Sequence, residues 1–319
     1  MFQVWGKWVT QIDVHQGIRP ETAIAKLKPS GICATVEGAL VMQLLASVFL
    51  PTYPDPPGPK VVSNAVAAAR WLSAALDVAV VNVDIPDVSN ALSRLLLDLP
   101  TKIREVEAAS RQRGKTLLDA VAAEASRCSV TLTSQELQAQ PALMGEAAAK
   151  EGRYFDLCMI GWAPNNEASQ MIAEEVVFSS GRPTLILPGD EDVGPLDHVV
   201  IAWDGSRVAA RAVADAKPFL ERASAISIIT VTDEKVLPRE DVADRLAHVL
   251  RARGLTAKVE SFHAGDNPIG AALQEHALKI GGNLLVMGGW GHSRLRDFVL
   301  GGATEGILSD LRLPVLMSH

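Results

Sequence analysis

Two pairs of short apolar runs, spaced alike, constrain the fold of this 319-residue chain more than any other feature. DLCMIG (156–161) is followed by RPTLILP (182–188), and NLLVMG (283–288) by LPVLMSH (313–319). Apolar runs without polar alternation suit strands buried on both faces, as in a parallel sheet covered by helices. The segments between them carry helical spacing, so the chain reads as alternating strands and helices, with right-handed crossovers.

The second half follows this order most clearly. HVVIAW (198–203) ends in DGS, a turn and helix-start signal, before RVAARAVADAKPFL. AISIITV (225–231), TAKVESF (256–262), NLLVMG and PVLMS are the further strands. The helix after AISIITV has Gly254 as its C-cap, the next has Asn267 as N-cap and Pro268 in its first turn, and TEGILSDL is a short last helix. Residues 44–188 repeat the order, from LASVFLPTY and DVAVVNV (77–83) through a long helical region at 89–127 to PTLILP. The expectation is a duplicated α/β domain, 44–188 and 197–319, joined by the acidic Gly/Pro segment GDEDVGPLD (189–197). Residues 1–43 belong to neither repeat, and Met42 is the expected natural start.

Composition narrows the function. A hydrophobic share of 48% with 21% charged residues excludes a disordered chain, and the net charge of −7 argues against a broad nucleic-acid surface. GALVMQLLASVFLP is too short for a membrane span, and no secretory signal is evident. Cys33, Cys128 and Cys158 are too scattered for a disulfide framework or a zinc site. Cys128 and Cys158 read as buried structural thiols, and reduced thiols point to the cytoplasm.

The chemistry concentrates in GGWGHSRLRDFVLGGAT (288–304), which follows a strand and precedes a helix. Glycines there let the backbone turn and approach a ligand, and N–H groups at a helix start bind anions. The spacing is neither a Walker A loop nor Gly-x-Gly-x-x-Gly. On glycine content alone, a phosphate site and a plain turn with a helix cap both fit. His292 fits a solvated loop residue or a phosphate contact, and Arg294 and Arg296 fit pairing with Asp297 or solvent or a phosphate contact. Asp204 fits a site residue or a helix start, and Thr304 a site residue or an N-cap.

Gly288-x-x-Gly291, nine residues, then Gly301, with AWDGS ending the first strand and LPVLMSH as the last, resembles the universal stress protein family. The resemblance covers both repeats and is strongest over 197–319. It implies two tandem flavodoxin-like (adenine nucleotide alpha hydrolase-like) α/β domains, each a five-stranded parallel sheet of order 3-2-1-4-5. It also implies a site for ATP, or for ADP or AMP, with Mg2+ accompanying ATP. Its residues would be Asp204 beside adenine and ribose, the backbone of Val231 at the adenine, and Gly288, Gly291, Ser293 and Gly301 around the phosphates. Gly302 departs from the family's Ser or Thr, which removes a hydroxyl donor that Thr304 partly replaces. One neutral hydrogen bond is worth about 1 kcal/mol, roughly tenfold in affinity.

The first repeat lacks this pattern. Gly161 to Pro183 is 22 residues, against 26 from Gly288 to Pro314, and Pro164 stands where Gly291 would be. Glu174 and Glu175 replace the second glycine pair, and PTYPDPP replaces AWDGS, with Asp55 a displaced counterpart of Asp204. The first repeat is expected to keep the scaffold without the site.

The leading reading is a cytoplasmic stress-associated regulator that binds one adenine nucleotide in its second domain, with at most slow ATP hydrolysis. No catalytic triad or metal-spaced cluster is present, and His263 in SFHAGDN fits a strand-to-helix turn. The alternative is a nucleotide-free interaction or scaffold module. A third, an adenylate-transferring enzyme, lacks its HIGH-type motif. The family's last strands pair antiparallel across dimers, so the repeats should form an intrachain pseudo-dimer, with a homodimer also compatible.

Overall fold

In the computed structural model, residues 33–36, 39–86, 99–163, 166–234, 237–289 and 302–319 are described, and the chain divides into two compact units, Met1–Met42 and Gln43–His319. In the smaller unit β1 (Cys33–Val36) pairs antiparallel with β2 (Ala39–Met42).

The larger unit opens with β3 (Leu45–Pro51), α1 (Val61–Leu72) and β4 (Ala75–Val83), then the long α2 (Leu99–Cys128) and β5 (Leu132–Ala139). It continues with α3 (Met144–Gly152), β6 (Leu157–Trp162), α4 (Glu167–Ser179) and β7 (Thr184–Pro188). The second repeat contains β8 (His198–Ala202), α5 (Arg207–Asp215), α6 (Lys217–Leu220), β9 (Ala225–Val231) and α7 (Val242–Ala252). It closes with β10 (Ala257–Phe262), α8 (Ile269–Lys279), β11 (Leu284–Gly288), α9 (Gly302–Ser309) and β12 (Val315–Ser318). The long helix begins at Leu99, and residues 87–98 of the expected 89–127 region lie outside the described residues. Helix α8 starts at Ile269 with Pro268 in the cap position, one residue later than its sequence signals suggest.

The ten strands described in this unit form one sheet, in the order β10-β9-β8-β11-β12-β7-β6-β3-β4-β5. Each half is parallel and reads 3-2-1-4-5 in its own chain order. The halves meet where β12 pairs antiparallel with β7, Val315 opposite Ile186 and Met317 opposite Thr184. These apolar last strands are thereby paired with each other instead of forming exposed edges. The actual edges, β5 and β10, carry alternating polar residues (LTSQELQA and AKVESF), which suits strands with one partner.

Alternate strand residues feed two cores. Val48, Leu50, Leu284 and Val286 pack with α1, α2, α5 and α7 on one face. Phe49, Leu285 and Met287 pack with α3, α4, α8 and α9 on the other. Each core contains residues of both repeats. The acidic joint is anchored: buried Asn64 donates to the carbonyls of Pro188 and Glu191 and accepts from the Val193 amide at 2.9 Å. Cys158 is fully buried, and burial pushes its thiol up to about 12. Cys128, expected to be buried, is half-buried at the end of α2.

Candidate functional site

In a parallel sheet the strand order reverses once, and ligands bind outside the carboxyl ends of the strands at that point. In the second repeat this point lies between β8 and β11, whose chain connections leave in opposite directions. A cavity of about 300 Å³ opens there, lined by residues from the ends of β8, β9 and β11 and from the start of α9.

The residues after β8 are fixed by the start of α5. Gly205 has φ +75°, a left-handed conformation that favours glycine. It turns the chain so that the Asp204 Oδ1 accepts from the Ser206 amide at 2.9 Å. Ser206 caps α5, its hydroxyl accepting from the Ala209 amide at 3.2 Å. Asp204 therefore shapes the helix start and also lines the cavity. Trp203 is held from three sides: its amide donates to Ile229, its carbonyl accepts from the Thr230 hydroxyl, and its indole donates to the Val242 carbonyl at 3.0 Å.

Val231 ends β9 and lines the same cavity. Just beyond it, Asp233 accepts from the amides of Ala264 and Gly265 at 2.9 and 2.8 Å. Those backbone N–H groups stabilise the ionised carboxylate and hold its pKa below the ordinary value. His263 lies in the β10–α8 connection, its Nδ1 3.8 Å from the Asp233 carboxylate.

Gly288 lines the cavity as well, but packing gives it a separate reason to be glycine. A Cβ there would lie 2.5 Å from the carbonyl carbon of Val208 and 2.7 Å from the Ala209 nitrogen. Any side chain would push α5 off the sheet. Across the cavity lies α9, whose described residues begin at Gly302, ahead of the TEGILSDL segment expected to form it, and Gly302, Ala303 and Thr304 all contribute to the lining. Thr304 is buried and lies inside the helix, so it is not an N-cap. The helix start brings the positive end of its dipole to the cavity. A Cβ at Gly302 would enter open space.

Thus Asp204, Val231, Gly288, Gly302 and Thr304 converge on one cavity. Gly291, Ser293 and Gly301, with His292, Arg294 and Arg296, lie outside the described residues. Sequence reading missed Trp203 and Glu234 as lining residues and Asp233 as the tie between the ends of β9 and β10. The polar run TDE directly after the AISIITV strand was the available signal. Among the described residues no cluster of three or more His, Cys, Asp or Glu could hold a metal ion, and no helix is long and apolar enough to cross a membrane.

The family model for the universal stress protein family matches residues 195–319. Those residues belong to the universal stress protein family. The fold is also similar to that of a universal stress protein from Archaeoglobus fulgidus DSM 4304, 20% identical, with a TM-score of 0.63 over 85% of this chain and 97% of that one. A Pseudomonas aeruginosa UCBPP-PA14 protein assigned to the universal stress proteins is 15% identical, with a TM-score of 0.50 over 86% of this chain and 92% of that one. Both likenesses are of fold, over more of the chain than the universal stress protein model matches. A comparison with curated proteins gives no match.

Among the described residues, the corresponding place in the first repeat is occupied by the buried Thr52, Asn82 and Ser110. Ala46 pairs with Leu157 as Val199 pairs with Leu284, so Pro51 holds the position of Asp204 and Val81 that of Val231. Thr52 donates both its amide and its hydroxyl to the Val81 carbonyl, at 3.2 and 3.1 Å. The Thr52 and Ser110 hydroxyls lie 2.6 Å apart, and Ser110 accepts from the Val83 amide at 2.9 Å. Further along α2, Arg113 donates to the Pro54 carbonyl and pairs with the exposed Asp55 at 3.7 Å. Asp55 is thus part of a turn clamp and does not stand in for Asp204. Pro164 lies outside the described residues.

Proposed function

We propose that the second domain, 197–319, binds one adenine nucleotide in this cavity and that the protein is a regulator rather than a catalyst. In this reading 44–188 is a degenerate domain of the same family. The observation that carries it is the convergence of Asp204, the end of β9 and the start of α9 on one cavity at the sheet's switch point. The base and ribose would lie against Val231 and Asp204, and the phosphates at the N-terminus of α9, with Gly291, Ser293 and Gly301 completing their cradle. ATP is the leading ligand, with ADP and AMP as competitors. Mg2+ would arrive with ATP, and Asp204 and Glu234 are the carboxylates that line the cavity. Support for a cytoplasmic setting comes from Cys128 and Cys158, which are free.

The competing reading is a nucleotide-free interaction module, with the duplication providing the partner surface. The two apolar last strands are paired with each other inside the chain and so are not part of such a surface. The deciding experiment is calorimetric titration with ATP, ADP and AMP, with and without Mg2+, comparing the parent with Gly291→Pro. Saturable heat for the parent and at least tenfold weaker binding for the variant are expected. Equal heats for both proteins, or none with any nucleotide, would remove the site.

A further inference from the structure

The first repeat contacts both described flanks of residues 290–301. Trp162, the last residue of β6, is 5% exposed, and its indole donates to the Leu308 carbonyl at 2.9 Å. Leu308 lies in the last turn of α9, where carbonyls have no intrahelical partner. A side chain from one repeat therefore caps the helix whose other end lines the second repeat's cavity. On the opposite flank, the His319 Nδ1 donates to the Gly289 carbonyl at 3.0 Å, and the Gly289 amide donates to the Ser318 carbonyl at 2.8 Å. Phe178 of α4 packs edge-on against His319, with ring centroids 5.2 Å apart at 79°. It also fills the space beside Gly289, where a Cβ would come within 3.2 Å of the Phe178 ring.

The contact is one-sided. Leu157 and Leu284 occupy equivalent places in β6 and β11, so the counterpart of Trp162 is Gly289. The repeat with the filled crevice sends an indole across the joint. The repeat with the open cavity has a glycine there, whose side-chain space is taken by Phe178 and Met317.

We propose that Trp162 and Phe178 are positioning residues for the nucleotide cavity, so that the first repeat serves as a built-in partner that sets the geometry of the second. The proposal rests on the nucleotide reading above. Trp162→Phe in the full chain keeps an aromatic ring but removes the donor together with the five-membered ring of the indole. The control is Val121→Ala, a buried first-repeat core residue on α2, far in sequence from the joint. Calorimetry with ATP and amide hydrogen exchange in nucleotide-free protein are measured on both. Trp162→Phe is expected to weaken ATP binding about three- to tenfold and to speed exchange across residues 302–309. Phe178→Leu is expected to act likewise, with faster exchange at Gly289 and His319. Val121→Ala should lower the unfolding midpoint and leave both readouts at parent values. Parent-like binding by Trp162→Phe, or an equal loss in Val121→Ala, overturns the proposal. Should the parent bind no nucleotide, the nucleotide reading falls, and unchanged exchange at 302–309 in Trp162→Phe would remove the positioning role as well.

Discussion

Val81 and Val231 stand at the same place, at the end of the second strand of their repeats, with opposite surroundings. The Val81 carbonyl accepts twice from Thr52, and Ser110 of the 30-residue α2 closes over it. Val231 faces a cavity of about 300 Å³, and the helix that follows it, α7, has 11 residues. One scaffold can thus be a filled block or an open site, depending on whether the crossover helix reaches over the carboxyl edge of the sheet. The difference also separates two kinds of glycine. Gly161 survives in the filled repeat beside Val61, as Gly288 does beside Val208. Close approach of helix to strand therefore accounts for both, and Gly288 alone says little about a ligand.

The sharpest test of that equivalence is substitution of both glycines. Gly288→Ala puts its methyl into the backbone of α5 and should cost about 3 kcal/mol, since a helix must move. Gly161→Ala meets the Val61 side chain, which can give more than backbone can, and should cost about 1–2 kcal/mol. Urea unfolding of both variants checks the order. A neutral Gly288→Ala would mean that its glycine serves a ligand and not packing.

Ser110→Ala attacks the filled repeat. It strands the buried Val83 amide and removes one partner of the Thr52 hydroxyl, so about 1–3 kcal/mol of stability should be lost. Nucleotide heats should stay at the parent level. A second nucleotide-binding event in this variant would show that the first repeat is a latent site held shut by one hydroxyl.

Gly302→Ser acts on the open repeat. A Cβ there meets nothing, and a hydroxyl at the start of α9 restores the donor that Gly302 lacks. ATP affinity should rise about five- to tenfold, equivalent to about 1 kcal/mol, as calorimetry would show. Unchanged or weaker binding would place the phosphates away from the start of α9.

Much of the fold was legible because parallel strands buried on both faces read as uninterrupted apolar runs: AISIITV and PTLILP contain the observed β9 and β7. The antiparallel junction of β7 and β12 was legible only through the family resemblance. Asp204, Val231, Gly288, Gly302 and Thr304, named through the family resemblance, all line the cavity. What stayed hidden depends on contacts between distant segments. Ser110 lies 58 residues from Thr52, and Trp162 lies 146 from Leu308, with no local pattern marking either pair. Asp55 misled because an acidic residue near a strand end looks like a displaced Asp204, until register puts Pro51 at that position.

The smallest effect expected is a pH-dependent one at the rim of the open cavity. Asp233 ties the end of β9 to the turn after β10 through two amides, and these hold its folded pKa below that of the unfolded chain. A depressed carboxylate pKa contributes stability above the unfolded value, and the contribution is lost as pH falls through the folded pKa. Asp233→Asn keeps one oxygen acceptor and removes the charge. The parent should therefore exceed this variant in stability at pH 7, by a small margin because the carboxylate is close to solvent. That margin should shrink on acidification through the depressed pKa and vanish below it. Unfolding curves of both proteins from pH 7 down to pH 2, with the amide signals of Ala264 and Gly265 followed by NMR, measure it. A margin that stays constant over that range would show that the charge on Asp233 plays no part in closing the rim, and that the open repeat is held there by backbone pairing of β9 and β10 alone.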